Sequence, residues 1–165
     1  MIRASKLATA LSIGAALTLG GAFVTPASAA EPDTQGVLAA NNGFYAALNK
    51  MFTGNSTPME LVWSHAADVT YMGPTGGIDH GWSAVLKNWQ GQAALKLGGK
   101  VEPAETQMIV GQDVAVVTVY EEGENTNAKG EVAHLKLRAT STFRKEGGRW
   151  MMVGHHTDPL PYLAK

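Results

Sequence analysis

The side chains able to do chemistry gather in the last third of the chain. His134, Lys136, Arg138, Thr140 and Thr142 alternate with Leu135, Leu137, Ala139, Ser141 and Phe143, so a strand here puts the two sets on opposite faces. Arg138 on a pocket face would grip a carboxylate through two parallel N–H donors. On a solvent face it would form a surface ion pair of little energetic weight. Strand parity ties Arg138 to His134 and Thr140 without deciding which face is inside. His155 and His156 fall on opposite faces of the next strand. Regular alternation places His156 with Trp150, Met152 and Asp158, and His155 with Met151, Val153 and Thr157. Imidazole titrates near neutrality, so His156, oriented by Asp158, is a candidate proton-transfer group, as is His134. The alternative for each is a histidine satisfied by a hydrogen bond in the core or at an interface.

Other chemistries lack their residues. A metal needs three or four converging ligands, and no HxH with a third ligand is present, so neither a metal nor a cofactor is expected. There is no cysteine, no phosphate-binding glycine loop and no nucleophile elbow. Asp79, beside His80, and Asp68 stand at turns, where carboxylates cap and terminate structure. Trp63, Tyr71, Trp82, Trp89 and Tyr120 supply the aromatic surface. Most of it packs a core, and Trp63, Tyr71, Trp89 and Tyr120 are candidates to line whatever cavity remains. Such a cavity with one arginine suits a flat apolar molecule carrying an acidic group.

The elements that must position these groups are legible from periodicity. Val37 to Phe52 carries apolar residues three and four apart, as an amphipathic helix does. Thr57, Pro58 and Glu60 form a helix start, predicting a short helix from Pro58 to Ser64. Asp68 to Met72 is strand-like, Gly73 to Gly77 is a turn, and Ile78 to His80 pairs back. A second long helix is predicted from Trp82 to Leu97, ended by Gly98-Gly99. Four strands follow at Val101–Val110, Val114–Glu121, Val132–Lys145 and Trp150–Asp158, with short turns that make them antiparallel neighbours. Helices followed by such a meander give an α+β domain, its curved antiparallel sheet wrapped around the long helices with an internal pocket between.

The 165 residues divide unequally. Arg3 and Lys6 precede an uncharged run from Leu7 to Val24, then Pro26 and the small residues Ala27-Ser28-Ala29. That is the order of a secretory signal peptide over residues 1–30, cut after Ala29 or Ala30, and the short basic start is bacterial in style. Export to the periplasm or the medium is expected, with no membrane anchor left after cleavage. Residues 31–36 form a short lead, and 37–165 one domain of ordinary size. Two of the 13 basic residues and none of the 14 acidic ones lie in the leader. The remaining eleven against 14 leave the mature chain at −3, with no basic run, so nucleic acid is not an expected partner.

The chain resembles the SnoaL-like branch of the nuclear transport factor 2-like superfamily. The resemblance is carried by Phe44-Tyr-Ala-Ala-Leu-Asn49, Asp68-Val-Thr-Tyr-Met-Gly-Pro74, Gly81-Trp82, Arg138-Ala-Thr140, Phe143-Arg-Lys-Glu-Gly-Gly-Arg-Trp150 and His155-His-Thr157. It covers Val37 to Leu163 and implies a cone-shaped α+β fold with an internal pocket, often a homodimer packed through the sheet. In the kinase hub domains of the superfamily an arginine similar to Arg138 faces the pocket and holds acidic ligands. The steroid isomerases of this fold use an Asp base and a Tyr/acid oxyanion hole. The resemblance puts Phe44, Gly73 and Ser141 in those places. Phe has no proton to donate and Gly cannot take one, so that mechanism does not transfer. The expected function is a pocketed protein binding a small apolar or acidic molecule. A cofactor-free acid–base enzyme using His156, His134 or Asp158 is the alternative, and a homodimeric assembly module the third reading.

Overall fold

The computed structural model describes residues 31–126 and 129–159. The leader segment 1–30 and the tail 160–165 lie outside the described residues.

The first helix, α1 (Thr34–Met51), begins three residues before the expected Val37. Asp33 is the cause: its carboxylate accepts the Gly36 N–H at 3.0 Å and caps the helix there. Val37, Phe44, Ala47, Leu48 and Met51 are buried along one stripe. The short helix α2 (Met59–Val62) is a single turn, because Trp63 leaves helical geometry and bridges to Met152. The strands β1 (Thr70–Met72) and β2 (Asp79–His80) form a small hairpin before α3 (Trp82–Ala94). That helix stops three residues before the expected Leu97: Leu95 caps it, and Lys96 turns the chain with φ 48°.

The long strands are β3 (Lys100–Val110), β4 (Val114–Thr126), β5 (Val132–Glu146) and β6 (Arg149–Pro159). β4 runs five residues past the expected Glu121, straight through Gly123. No side chain is tolerated there: a Cβ would lie 2.0 Å from the Lys100 carbonyl oxygen. The six strands form one sheet in the order β2-β1-β6-β5-β4-β3. Neighbours are antiparallel except β1 and β6, which pair in parallel, Tyr71 opposite His155. β1 reaches β6 from the helical layer rather than through a hairpin, which frees its direction.

Two register shifts bend this sheet. One lies in β3 between Ala104 and Gln107, with Glu105 at φ 50°. The other lies where β5 meets β6, between Thr142 and Phe143. Bulges sharpen twist and curvature, and the sheet curls unclosed around α1 and α3 as a cone. Trp63, Trp89, Phe44 and Phe143 are the largest fully buried side chains, and they belong to the core between helices and concave face. Among the described residues no helix is long and apolar enough to cross a membrane.

Candidate functional site

The bulge in β6 decides which histidine faces inward. Phe143 pairs with Met152, but Thr142 pairs with Gly154, so Val153 is an extra residue. One extra residue reverses strand parity beyond it. Trp150 and Met152 point into the cone, and after the bulge so do His155 and Thr157, leaving His156 exposed. The expectation that His156 shares a face with Trp150 is thereby corrected. A glycine inside a strand is a known mark of a bulge, and Gly154 is that signal.

Inside the cone His155 is 3 % exposed and belongs to a polar cluster. Its Nδ1 lies 2.9 Å from Ser141 Oγ, and its Nε2 lies 3.3 Å from Glu121 Oε1. The Tyr45 hydroxyl donates to the same Glu121 oxygen at 3.1 Å. A proton on Nε2 would face the carboxylate and leave Nδ1 to accept the serine hydroxyl. Burial, reinforced by the neighbouring Glu121 carboxylate, pushes the Tyr45 phenol well above its ordinary pKa, so it remains a donor. The Phe44 ring closes one side, its centroid 4.6 Å from that of His155. Glu121 was absent from the sequence-derived candidates. Its signal is parity: Ala115, Val117, Val119 and Glu121 share the buried face of β4, so a carboxylate stands where an apolar side chain belongs.

An aromatic wall adjoins the cluster. Trp89 touches Tyr71, Trp63 and Phe44, with ring centroids 4.4, 6.1 and 6.2 Å away. Tyr71 lies parallel to the His155 ring at 6.1 Å. Its hydroxyl rests against Gly73, where an added Cβ would come within 2.7 Å of it. Three of the predicted lining residues, Trp63, Tyr71 and Trp89, therefore do meet.

The remaining predicted site residues are on the other face. Arg138 forms an ion pair with Asp158, the two side chains 52 % and 36 % exposed. His134 is exposed beside Glu124 at 3.9 Å. Tyr120 carries the Lys136 ammonium 5.0 Å above its ring. Arg138 and Tyr120, with Glu105, Gln107, Thr118 and Thr140, line a shallow outer groove of about 340 Å³. The surface ion-pair alternative for Arg138 is thus the one realised, and the pocket-facing expectation is corrected. The inward face of β5 is the apolar one, because burying Leu135, Leu137 and Phe143 outweighs burying a charged row. Asp68 is held by Arg144 in a two-oxygen ion pair, as a structural partner. Among the described residues no group of three His, Asp or Glu side chains is gathered as a metal would require.

The SnoaL-like domain family matches residues 37–160 of this chain. Its solved structural neighbours include a candidate dehydratase of the nuclear transport factor 2-like family from Streptomyces avermitilis. The two are 22 % identical with a TM-score of 0.69, covering 78 % of this chain and 97 % of that one. A nuclear transport factor 2-like protein from Salmonella enterica is 16 % identical with a TM-score of 0.67, over 75 % and 88 % of the two chains. A candidate calcium/calmodulin-dependent protein kinase type II association domain from Thiobacillus denitrificans is 26 % identical with a TM-score of 0.61, over 74 % and 94 %. No curated protein matches the chain.

Proposed function

Because this chain belongs to the SnoaL-like domain family of the nuclear transport factor 2-like superfamily, we propose that it captures a small, largely apolar molecule in its aromatic interior. The observation that carries this reading is a set of buried polar atoms without partners. They are both amide atoms of Asn41, the indole nitrogens of Trp63 and Trp89, and Thr157 Oγ1. An unmet buried polar group costs about 1–3 kcal/mol, and a bound molecule or ordered water relieves that cost. The ligand is uncharged rather than acidic. No Arg or Lys is among the described buried residues, and the buried carboxylate of Glu121 would repel an anion. The leader segment supports export before the ligand is met. The broad outer sheet face supports a homodimer.

Native mass spectrometry of the mature chain from its own host tests this reading. The expected result is a small-molecule adduct that denaturation releases and Arg138→Ala leaves in place. An adduct-free protein that also shows no tryptophan fluorescence change with apolar aromatic probes overturns it.

A second reading, cofactor-free acid–base catalysis, is favoured by one feature. His155, Glu121, Tyr45 and Ser141 form a connected path for a proton inside a buried site. On this reading His155 exchanges a proton with the ligand while Glu121 orients the ring. Wild-type protein would then exchange deuterium at the carbon next to the carbonyl of a bound ketone, and His155→Gln would abolish exchange while retaining binding. Equal exchange in both proteins overturns it.

A further inference from the structure

The strand order ends on β2 and on β3. β2 is two residues long, so β3 is the long edge. Its first half is closed against further pairing. The Asn49 amide occupies the outward backbone groups of Val101, donating to its carbonyl at 2.9 Å and accepting from its N–H at 2.8 Å. Pro103 has no N–H to offer, and the bulge at Glu105 bends the strand. Such devices keep edges from pairing.

Beyond the bulge these devices stop. At the hairpin end the Gly111 N–H donates to the Val114 carbonyl at 2.9 Å, and bonded positions alternate back along the strand from there. Ile109 and Gln107 therefore bond to β4, opposite Val116 and Thr118. Met108 and Val110 turn their N–H and C=O groups to the open edge. Among the described residues nothing pairs with those groups. Between them, on the outer face, stands Ile109. At 76 % exposed it is the most exposed large apolar side chain among the described residues. Val114, also exposed, lies on the same face. The Met108 and Val110 side chains point the other way and pack against the core.

This pattern is complementary to itself. Consider two antiparallel copies related by a two-fold axis at Ile109. Met108 of each copy then lies opposite Val110 of the other, and each such pair exchanges two hydrogen bonds. Every open group of both segments is met. The two Ile109 residues face each other as a non-hydrogen-bonded pair, Cα atoms about 4.5 Å apart, and shield each other from water. A two-fold axis at Met108 would instead set Ile109 against Gln107 and draw the bulge into the pairing.

We propose that residues 107–110 form an interface between two copies of this chain, joined edge to edge into one continuous sheet. This is distinct from packing through the outer sheet face. A strand pair of this length is small beside the ~1,200 Å² at which stable interfaces begin, so the association is concentration-dependent.

The test follows the mature chain over a concentration series by sedimentation and hydrogen exchange. As association proceeds, the Met108 and Val110 amides should slow by about 10-fold or more. The Ile109 amide, bonded to β4 in either state, should change little. Ile109→Lys sets two ammonium groups opposite each other and should abolish association with the Tm of the dilute protein unchanged. Leu61→Lys, at a similarly exposed residue on α2, should associate as wild type does. The chain has no cysteine, so Ile109→Cys should give a disulfide-linked dimer on mild oxidation, the opposed Cα atoms being within bridging distance. Association that leaves the Met108 and Val110 amides unprotected, and that Thr140→Cys traps in place of Ile109→Cys, is face packing and overturns the inference. A chain that stays monomeric up to about 1 mM also overturns it, and leaves the edge to a segment of another protein.

Discussion

Glu121 occupies a position where a strand wall calls for an aliphatic side chain, and its cost is offset locally. The Tyr45 hydroxyl donates to it and His155 lies alongside. Truncating it should leave both partners without an acceptor, at about 1–3 kcal/mol for each. Chemical denaturation of Glu121→Ala against wild type measures this. A loss below 1 kcal/mol would mean that water replaces the carboxylate. Histidine chemistry gives a second check. His65, His80, His134 and His156 are exposed and His155 is buried, so diethyl pyrocarbonate should modify four of the five rapidly and His155 only on unfolding. Rapid modification of His155 would contradict the parity reversal in β6. Asp33 offers a pH-dependent case. The Trp150 indole, the Lys145 ammonium and the Gly36 N–H all donate to it, and they hold its carboxyl below the usual range. Arg144 does the same for Asp68. A lowered folded-state pKa gives stability that is present above the unfolded value of about 3.9 and lost as pH falls through the folded value. Acid unfolding of Asp33→Asn should therefore be less steep below about pH 4 than that of wild type. Identical acid limbs would show that these contacts do not discriminate the charged form.

At the scale of elements, the β3–β4 hairpin depends on two glycines for close backbone approach. A Cβ on Gly99, which has φ +75°, would lie 1.9 Å from the Glu124 carbonyl oxygen, and one on Gly123 2.0 Å from that of Lys100. Backbone cannot retreat as a flexible side chain can. Gly99→Ala should cost more than the ~1–3 kcal/mol that positive φ alone costs, read as a fall in the urea midpoint. A midpoint within error of wild type would show that the hairpin adjusts. Gly73 behaves differently, because the obstacle there is the end of the Tyr71 side chain. Gly73→Ala should displace the phenol with little loss of stability, read as a urea midpoint close to that of wild type. The bulge in β6 acts at this scale too: one inserted residue carries His155 from the outer to the inner face while the surrounding strand stays paired.

For the whole molecule, the two faces of the sheet differ in what they hold and in what mutation should do. The concave face is aromatic and apolar around one polar cluster. Trp89→Ala would open a void among Tyr71, Trp63 and Phe44 and should cost about 3–5 kcal/mol. The convex face carries ladders of opposite charge, Lys136 with Glu122 and Arg138 with Asp158. These are solvated, so Arg138→Ala should cost less than about 1 kcal/mol. Thermal unfolding of the two variants side by side checks the contrast. A large loss in the Arg138 variant would mean that the convex face is buried in an assembly.

The sequence by itself determined the element order, the family, the long alternating strands and the aromatic supply of Trp63, Tyr71 and Trp89. Those follow from local periodicity and from motifs a few residues long, which need no knowledge of distant contacts. It also held the two faces of β5 apart, Arg138 with His134 and Ser141 with Phe143. Tertiary structure alone decided which face is inside, because that depends on where α1 and α3 lie over the sheet. Regular alternation misplaced His155 and His156, since a bulge is a fact of pairing between strands and leaves only Gly154 as its local trace. The meeting of Tyr45, Glu121, Ser141 and His155 joins a helix and three strands, from positions up to 110 residues apart. Side chains so distant in sequence converge only when the sheet curls, and the partner of a buried carboxylate is not written beside it.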